Sequence, residues 1–119
     1  MERDDHIAGL AIDRLTPVDI DYFFRTLADR VPRRVSDELA DVLRNLRGRV
    51  QQLAVDLGAT TAMSADPADV HRSAEAVVER IGQMRRRAWR AKIDGRPMLD
   101  HVRRQVGEIS ADLRELGIS

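Results

Sequence analysis

The spacing of the aliphatic side chains constrains this chain more than any other feature. Across residues 36–58 the apolar positions are Leu39, Leu43, Leu46, Val50, Leu53 and Leu57, separated by alternating steps of four and three. That alternation averages about 3.5 residues, the repeat that holds one stripe of side chains on a single face of an α-helix. Residues 67–93 carry a second series, Val70, Ala74, Val77, Ile81, Met84, Ala88 and Ala91. Residues 97–118 carry a third, Leu99, Val102, Val106, Ile109, Leu113 and Leu116. A strand needs alternation with a period of two, and no stretch sustains it. The chain therefore reads as all-α.

The residues between these series punctuate helices. Thr16-Pro17 places a capping hydroxyl before a proline at the first helical position, where a missing N–H costs nothing. Asp19, three residues on, stands where a carboxylate completes a capping box. Ser36 before Asp37 and Glu38, and Asp66 before Pro67 with Asp69 in the following turn, repeat the pattern and set negative charge on the positive end of a helix dipole. Gly58 ends the second helix, Asp94-Gly95-Arg96-Pro97 breaks the third from the fourth, and Pro32-Arg33-Arg34 parts the first from the second. The expected helices are 17–31, 36–58, 67–93 and 97–117, with a short helical arm over 4–14 carrying Ile7, Leu10, Ala11 and Leu15. Short connections favour antiparallel neighbours, so the expected architecture is an antiparallel four-helix bundle, or a long helical hairpin with a short N-terminal helix or arm. The third helix is much longer than the first. Part of the hairpin of helices three and four is thus expected to lack cover within the chain, which favours a second copy or another protein partner.

Composition narrows the function classes. A chain of 119 residues fits one domain, 1–119, and 43 % hydrophobic residues are enough to build a core. Only Tyr22, Phe23, Phe24 and Trp89 are aromatic, so that core is expected to be largely aliphatic, with Phe23, Phe24 and Leu27 on the inner face of the first helix and Tyr22 looking outward. Twenty basic residues balance twenty acidic ones, which excludes a globally basic nucleic-acid binder. Without cysteine there is no disulfide, thiolate nucleophile or cysteine-bound metal. Met1-Glu2-Arg3-Asp4-Asp5-His6 is unlike the start of a signal peptide, and no apolar run approaches the ~20 residues of a membrane span. A cytoplasmic location, with no membrane contact, is the expectation.

Charge is balanced overall but unevenly placed. Residues 1–24 hold six acids and two bases, whereas residues 80–104 hold Arg80, Arg85, Arg86, Arg87, Arg90, Lys92, Arg96, Arg103 and Arg104 against Asp94 and Asp100. Nineteen of the twenty bases are arginine throughout the chain, so arginine by itself marks no site; its crowding around the turn between helices three and four does. With Ala88 and Ala91 on the inner seam, Arg86, Trp89, Arg90 and Ile93 fall on the outer face, and Arg85 and Arg86 stand one turn before the indole. An indole among guanidinium groups anchors a protein partner or stacks on a nucleobase, and it also serves as a packing lid for the first helix. Arg85, Arg86, Trp89, Arg90, Ile93 and Arg96 are the candidate partner-binding residues.

Other chemistries find no footing. His71, Glu75 and Glu79 share one helix face, but they lack the paired Glu-x-x-His units of a di-iron bundle and read as a solvated polar face. No Gly-x-Ser-x-Gly and no glycine-rich phosphate loop occurs. No cofactor, metal ligand set or catalytic group is therefore assigned.

One local string carries a resemblance. The stretch Trp89-Arg90-Ala91-Lys92-Ile93-Asp94-Gly95-Arg96-Pro97-Met98-Leu99-Asp100-His101 is similar to the tryptophan-to-histidine stretch of one branch of the HEPN ribonucleases, small helical bundles that usually act as dimers. The resemblance implies Arg96 on a scissile phosphate and His101 as the proton-transfer group. It covers about 13 residues of the chain, and Pro97 stands where that family favours a polar residue. The residues themselves point first to a small helical interaction module acting by protein–protein contact, as a homo-oligomer or a subunit of a larger assembly. Nucleic-acid binding by the same basic tip is the alternative.

Overall fold

A computed structural model describes residues 14–59, 69–91 and 96–117, with side chains for all of these except 88–91 and 96. Four α-helices follow in order: α1 (Pro17–Arg30), α2 (Ala40–Asp56), α3 (Val70–Ala91) and α4 (Arg96–Glu115). There is no strand among the described residues, and the helices pack against one another as an all-α bundle. The expected arm over 4–14 lies outside the described residues apart from Arg14, as do the Asp66-Pro67 start and Asp94-Gly95 of the expected break, whose Arg96 and Pro97 belong to α4.

Local chemistry sets the ends of these helices. The Thr16 Oγ1 accepts from the Asp19 N–H at 3.2 Å, and Asp19 Oδ2 accepts in return from the Thr16 N–H at 3.0 Å. This reciprocal box satisfies two N–H groups that the first turn leaves without helical partners, an arrangement worth about 1 kcal/mol. Ser36 makes no side-chain cap; its carbonyl instead accepts from the Leu39 N–H, closing a 3₁₀ turn at Asp37–Leu39, and α2 begins only at Ala40. At the other end of α2, Gly58 adopts a φ of 89°, with its N–H donating to the Val55 carbonyl and the Ala59 N–H to the Ala54 carbonyl. These two bonds form a Schellman motif, which glycine enters without the steric cost of a Cβ. The start of α3 is fixed by Asp69, whose Oδ1 accepts from the Arg72 N–H at 3.1 Å.

The seams seen in the sequence form one continuous core. Leu46, Val50 and Leu53 of α2, Val77 of α3, and Val102, Val106, Ile109 and Leu113 of α4 are buried together with Ile20, Phe23, Phe24 and Leu27 of α1. Phe23 and Phe24 meet edge to face with ring centroids 5.2 Å apart, and the Arg30 guanidinium lies 5.6 Å from the Phe23 ring centre. Tyr22 is half-buried against the core instead of looking outward. Among the described residues Val18 is the one large hydrophobic side chain left exposed. This chain's own helices bury most of the described seam positions, while Leu39, Met84, Leu99 and Leu116 are half-buried.

Side-chain contacts give the helix directions. Arg49 binds Asp112 at 2.9 Å and Glu108 at 2.8 Å, while Asp56 meets His101 at 3.1 Å, so α2 and α4 run antiparallel. Ala28 and Asp29 of α1 lie beside the start of α3, and Phe24 and Arg25 lie beside His71, Glu75 and Val78, so α1 and α3 are also antiparallel. Between α2 and α3 the order is different. Arg47 lies near Val70, and the Arg80 Nε–H donates to the Leu57 carbonyl at 2.8 Å, so these two helices run in the same direction. The main packed pairs are α1 with α3, α2 with α3, and α2 with α4. α3 and α4 do not form one of these faces despite their four-residue connection; they stand across a diagonal of the bundle.

One position invites a direct stability test. Gly48 is exposed in the middle of α2, and a Cβ built there meets nothing within 4 Å. Replacing Gly48 with Ala is expected to raise stability by about 0.5–1 kcal/mol, through reduced freedom of the unfolded chain. A urea-denaturation midpoint that stays the same or falls would show that the backbone at this position is not an ordinary helical one.

Candidate contact surface

The long helix α3 owes its distal surface to where its neighbours stop. Arg80 is level with the last turn of α2 through its bond to the Leu57 carbonyl, whereas α3 continues to Ala91, about 16 Å further at the helical rise. Ile81 is the last fully buried seam residue before this extension, and Met84 is half-buried. Arg85, Arg86 and Arg87 are all exposed. None of the three makes a hydrogen bond or ion pair with a described residue, although the Arg86 guanidinium lies 3.6 Å from the place where a Cβ on Gly82 would sit.

Several other arginines of the bundle are engaged. Arg49 clamps α2 to α4, Arg103 donates from Nε to the Leu15 carbonyl at 2.8 Å and pairs with Asp100, and Arg25 pairs with Asp21. Arg80 holds the Leu57 carbonyl and, through Nη1, the Gln83 Oε1 at 2.7 Å. The neighbouring acids are occupied too: Asp56 by His101, Asp100 by Arg103, and Glu79 by the Gln83 amide at 3.2 Å. Arg85, Arg86 and Arg87 therefore face solvent uncompensated by these groups.

Of the residues singled out from the sequence, Arg85 and Arg86 are exposed on this surface. Trp89 and Arg90 belong to the helical backbone of α3 and Arg96 opens α4, but their side chains lie outside the described set, as does the whole of Ile93. Arg87 is the addition. Its heptad position flanks the seam, which suggests partial burial, yet α3 has already outrun α2 at that level. The signal for it is the level at which α2 ends against α3, which the repeat does not carry.

The alternative chemistries can be placed as well. His71 Nε2 lies 2.9 Å from Glu75 Oε1 with both side chains exposed, and no group of three or more possible metal ligands occurs among the described residues. His101, the residue singled out by the ribonuclease resemblance, is held by Asp56 across the α2–α4 interface and is 28 % exposed. Two open depressions of about 320 and 350 Å³ flank α3 near its start, one bounded by Arg33, Arg47 and Asp69, the other by Phe24, Glu75 and Glu79. Neither has a serine or threonine hydroxyl beside a base in its lining. No helix among the described residues is long and apolar enough to cross a membrane.

No protein-family model, no curated protein and no solved structure matches this chain.

Proposed function

We propose that this chain is a helical interaction module that works by contact, through the cationic distal part of α3. The observation that carries the reading is the exposed, unpaired run Arg85-Arg86-Arg87 on a helix that extends past the end of α2. Keeping three adjacent like charges together costs electrostatic energy in the isolated protein, and an anionic partner removes that cost. The described part of each apolar stripe is mostly buried, so it offers little competing surface. Contact with an acidic protein surface and contact with phosphate both draw on this same patch.

The test is binding of the labelled chain to heparin, a generic polyanion, at about 50 mM salt, where surface charge is only weakly screened. Binding is expected for the natural sequence and should be abolished when Arg85, Arg86 and Arg87 are all changed to Ala, with circular dichroism showing equal helicity. Absence of binding by the natural sequence, or equal binding by the triple variant, rejects the reading.

A further inference from the structure

Resting on that reading, we infer that the partner of this surface is a nucleic-acid duplex, with the distal part of α3 lying in its major groove. The argument is one of angle. Successive helical residues are rotated by about 100°, so Arg85 and Arg87 point about 200° apart, with Arg86 between them. All three are exposed, so this part of α3 offers cations to both flanks as well as to its outer edge. A flat acidic protein surface meets one flank and leaves the other charge unpaired. A groove with a phosphate strand on each wall meets both, and the major groove of B-form DNA, about 12 Å wide, admits a helix about 10–12 Å across.

The chemistry agrees with the shape. Guanidinium groups bind phosphate through two parallel N–H donors, and they are less strongly hydrated than ammonium groups. Met84, half-buried, faces back toward the bundle, so the bundle stays on the outside of the groove while the cationic sector enters it. The neutral charge of the whole chain does not oppose this arrangement. Over a Debye length of about 8 Å at physiological salt, a phosphate strand responds chiefly to the charges nearest it, and the acids Asp56 and Asp100 are already paired with His101 and Arg103. Contacts of this kind are to backbone phosphates and carry no preference for base sequence.

The experiment is fluorescence anisotropy of a short generic DNA duplex titrated with the full chain, at about 50 and about 200 mM salt. Neutralising about three phosphates predicts a log–log salt slope near −2.7, equivalent to roughly forty-fold weaker binding across that range. The Arg85→Ala, Arg86→Ala, Arg87→Ala triple variant should lose both the affinity and the slope, while its far-ultraviolet circular dichroism stays the same. Competition with polyglutamate and with a single strand of the same sequence separates the possible partners. Duplex bound in preference to both supports the inference. Polyglutamate competing as well as the duplex overturns it in favour of an acidic protein partner and leaves the contact reading standing. Equal binding of single strand and duplex overturns the placement in a groove. No binding of any polyanion overturns the contact reading along with the inference.

Discussion

Phe24→Ala is expected to lower stability by about 3–5 kcal/mol, a large part of the roughly 5–15 kcal/mol available to a domain of this size. Phe24 is 1 % exposed, meets Phe23 edge to face, and lies where α1 packs against His71, Glu75 and Val78 of α3. Truncating the ring removes its transfer energy and leaves a cavity at a junction of two helices, which cannot collapse without moving α1. Urea denaturation followed by circular dichroism reads the effect directly. Phe24→Leu, which retains most of the volume, is expected to cost under about 1.5 kcal/mol. A change below about 1 kcal/mol in the alanine variant would mean that α1 is not docked on α3 in the way described.

Val77→Asp is expected to leave the chain unfolded at room temperature. Val77 is 0 % exposed on the α3 seam and belongs to the hydrophobic core. An unpaired carboxylate there costs several kcal/mol or is forced to take up a proton, and either outcome consumes most of the fold's margin. Val18→Asp is the matched control. Val18 is 57 % exposed in the first turn of α1, so the same chemical change should alter stability by no more than about 0.5 kcal/mol. Loss of far-ultraviolet helical signal in the first variant and its retention in the second is the expected pair of results. A helical, stable Val77→Asp chain would place the α3 seam outside the monomer's core.

The repeat in the sequence made most of this fold legible, and the reason is physical. Leu43, Leu46, Val50 and Leu53 recur at helical spacing because one face of α2 is buried, and each is found in that buried face. The Thr16–Asp19 box and the Gly58 stop were legible for the same kind of reason, since each satisfies backbone groups within three or four residues of itself. Pairing was not legible. A heptad shows that a face is covered but not by which helix, and the order depends on where the helices end. With α2 ending at Asp56 and α3 starting after Asp69, thirteen residues, 57–69, connect them. Extended, that length reaches about 43 Å, whereas α2 is about 25 Å long, so the chain can return along α2 and start α3 in the same direction. An eight-residue connection, drawn from the Asp66-Pro67 start, pointed instead to antiparallel neighbours. Ser36 misled for a related reason: its sequence context suits a cap, yet the next three residues close a tighter turn.

The surface followed the same division. Arg86 was legible as an outward position, because a seam defines its own opposite face, whereas Arg85 was singled out only for standing one turn before Trp89. Arg87 was not legible, because its exposure comes from α2 ending near the level of Arg80 while α3 continues. The arginines that hold the bundle together, Arg49 and Arg103, could not be told from those that face solvent by residue type alone. Their roles depend on Asp112 and the Leu15 carbonyl, 63 and 88 residues away along the chain.

Whether the described seams close within one chain, with the α3 arginines left to meet a partner, is tested most directly by the mass of the purified protein in solution. Size-exclusion chromatography with multi-angle light scattering, at high protein concentration and physiological salt, should give 13.5 kDa. A stable species of twice that mass, with helicity that falls as it dissociates, would contradict that closure.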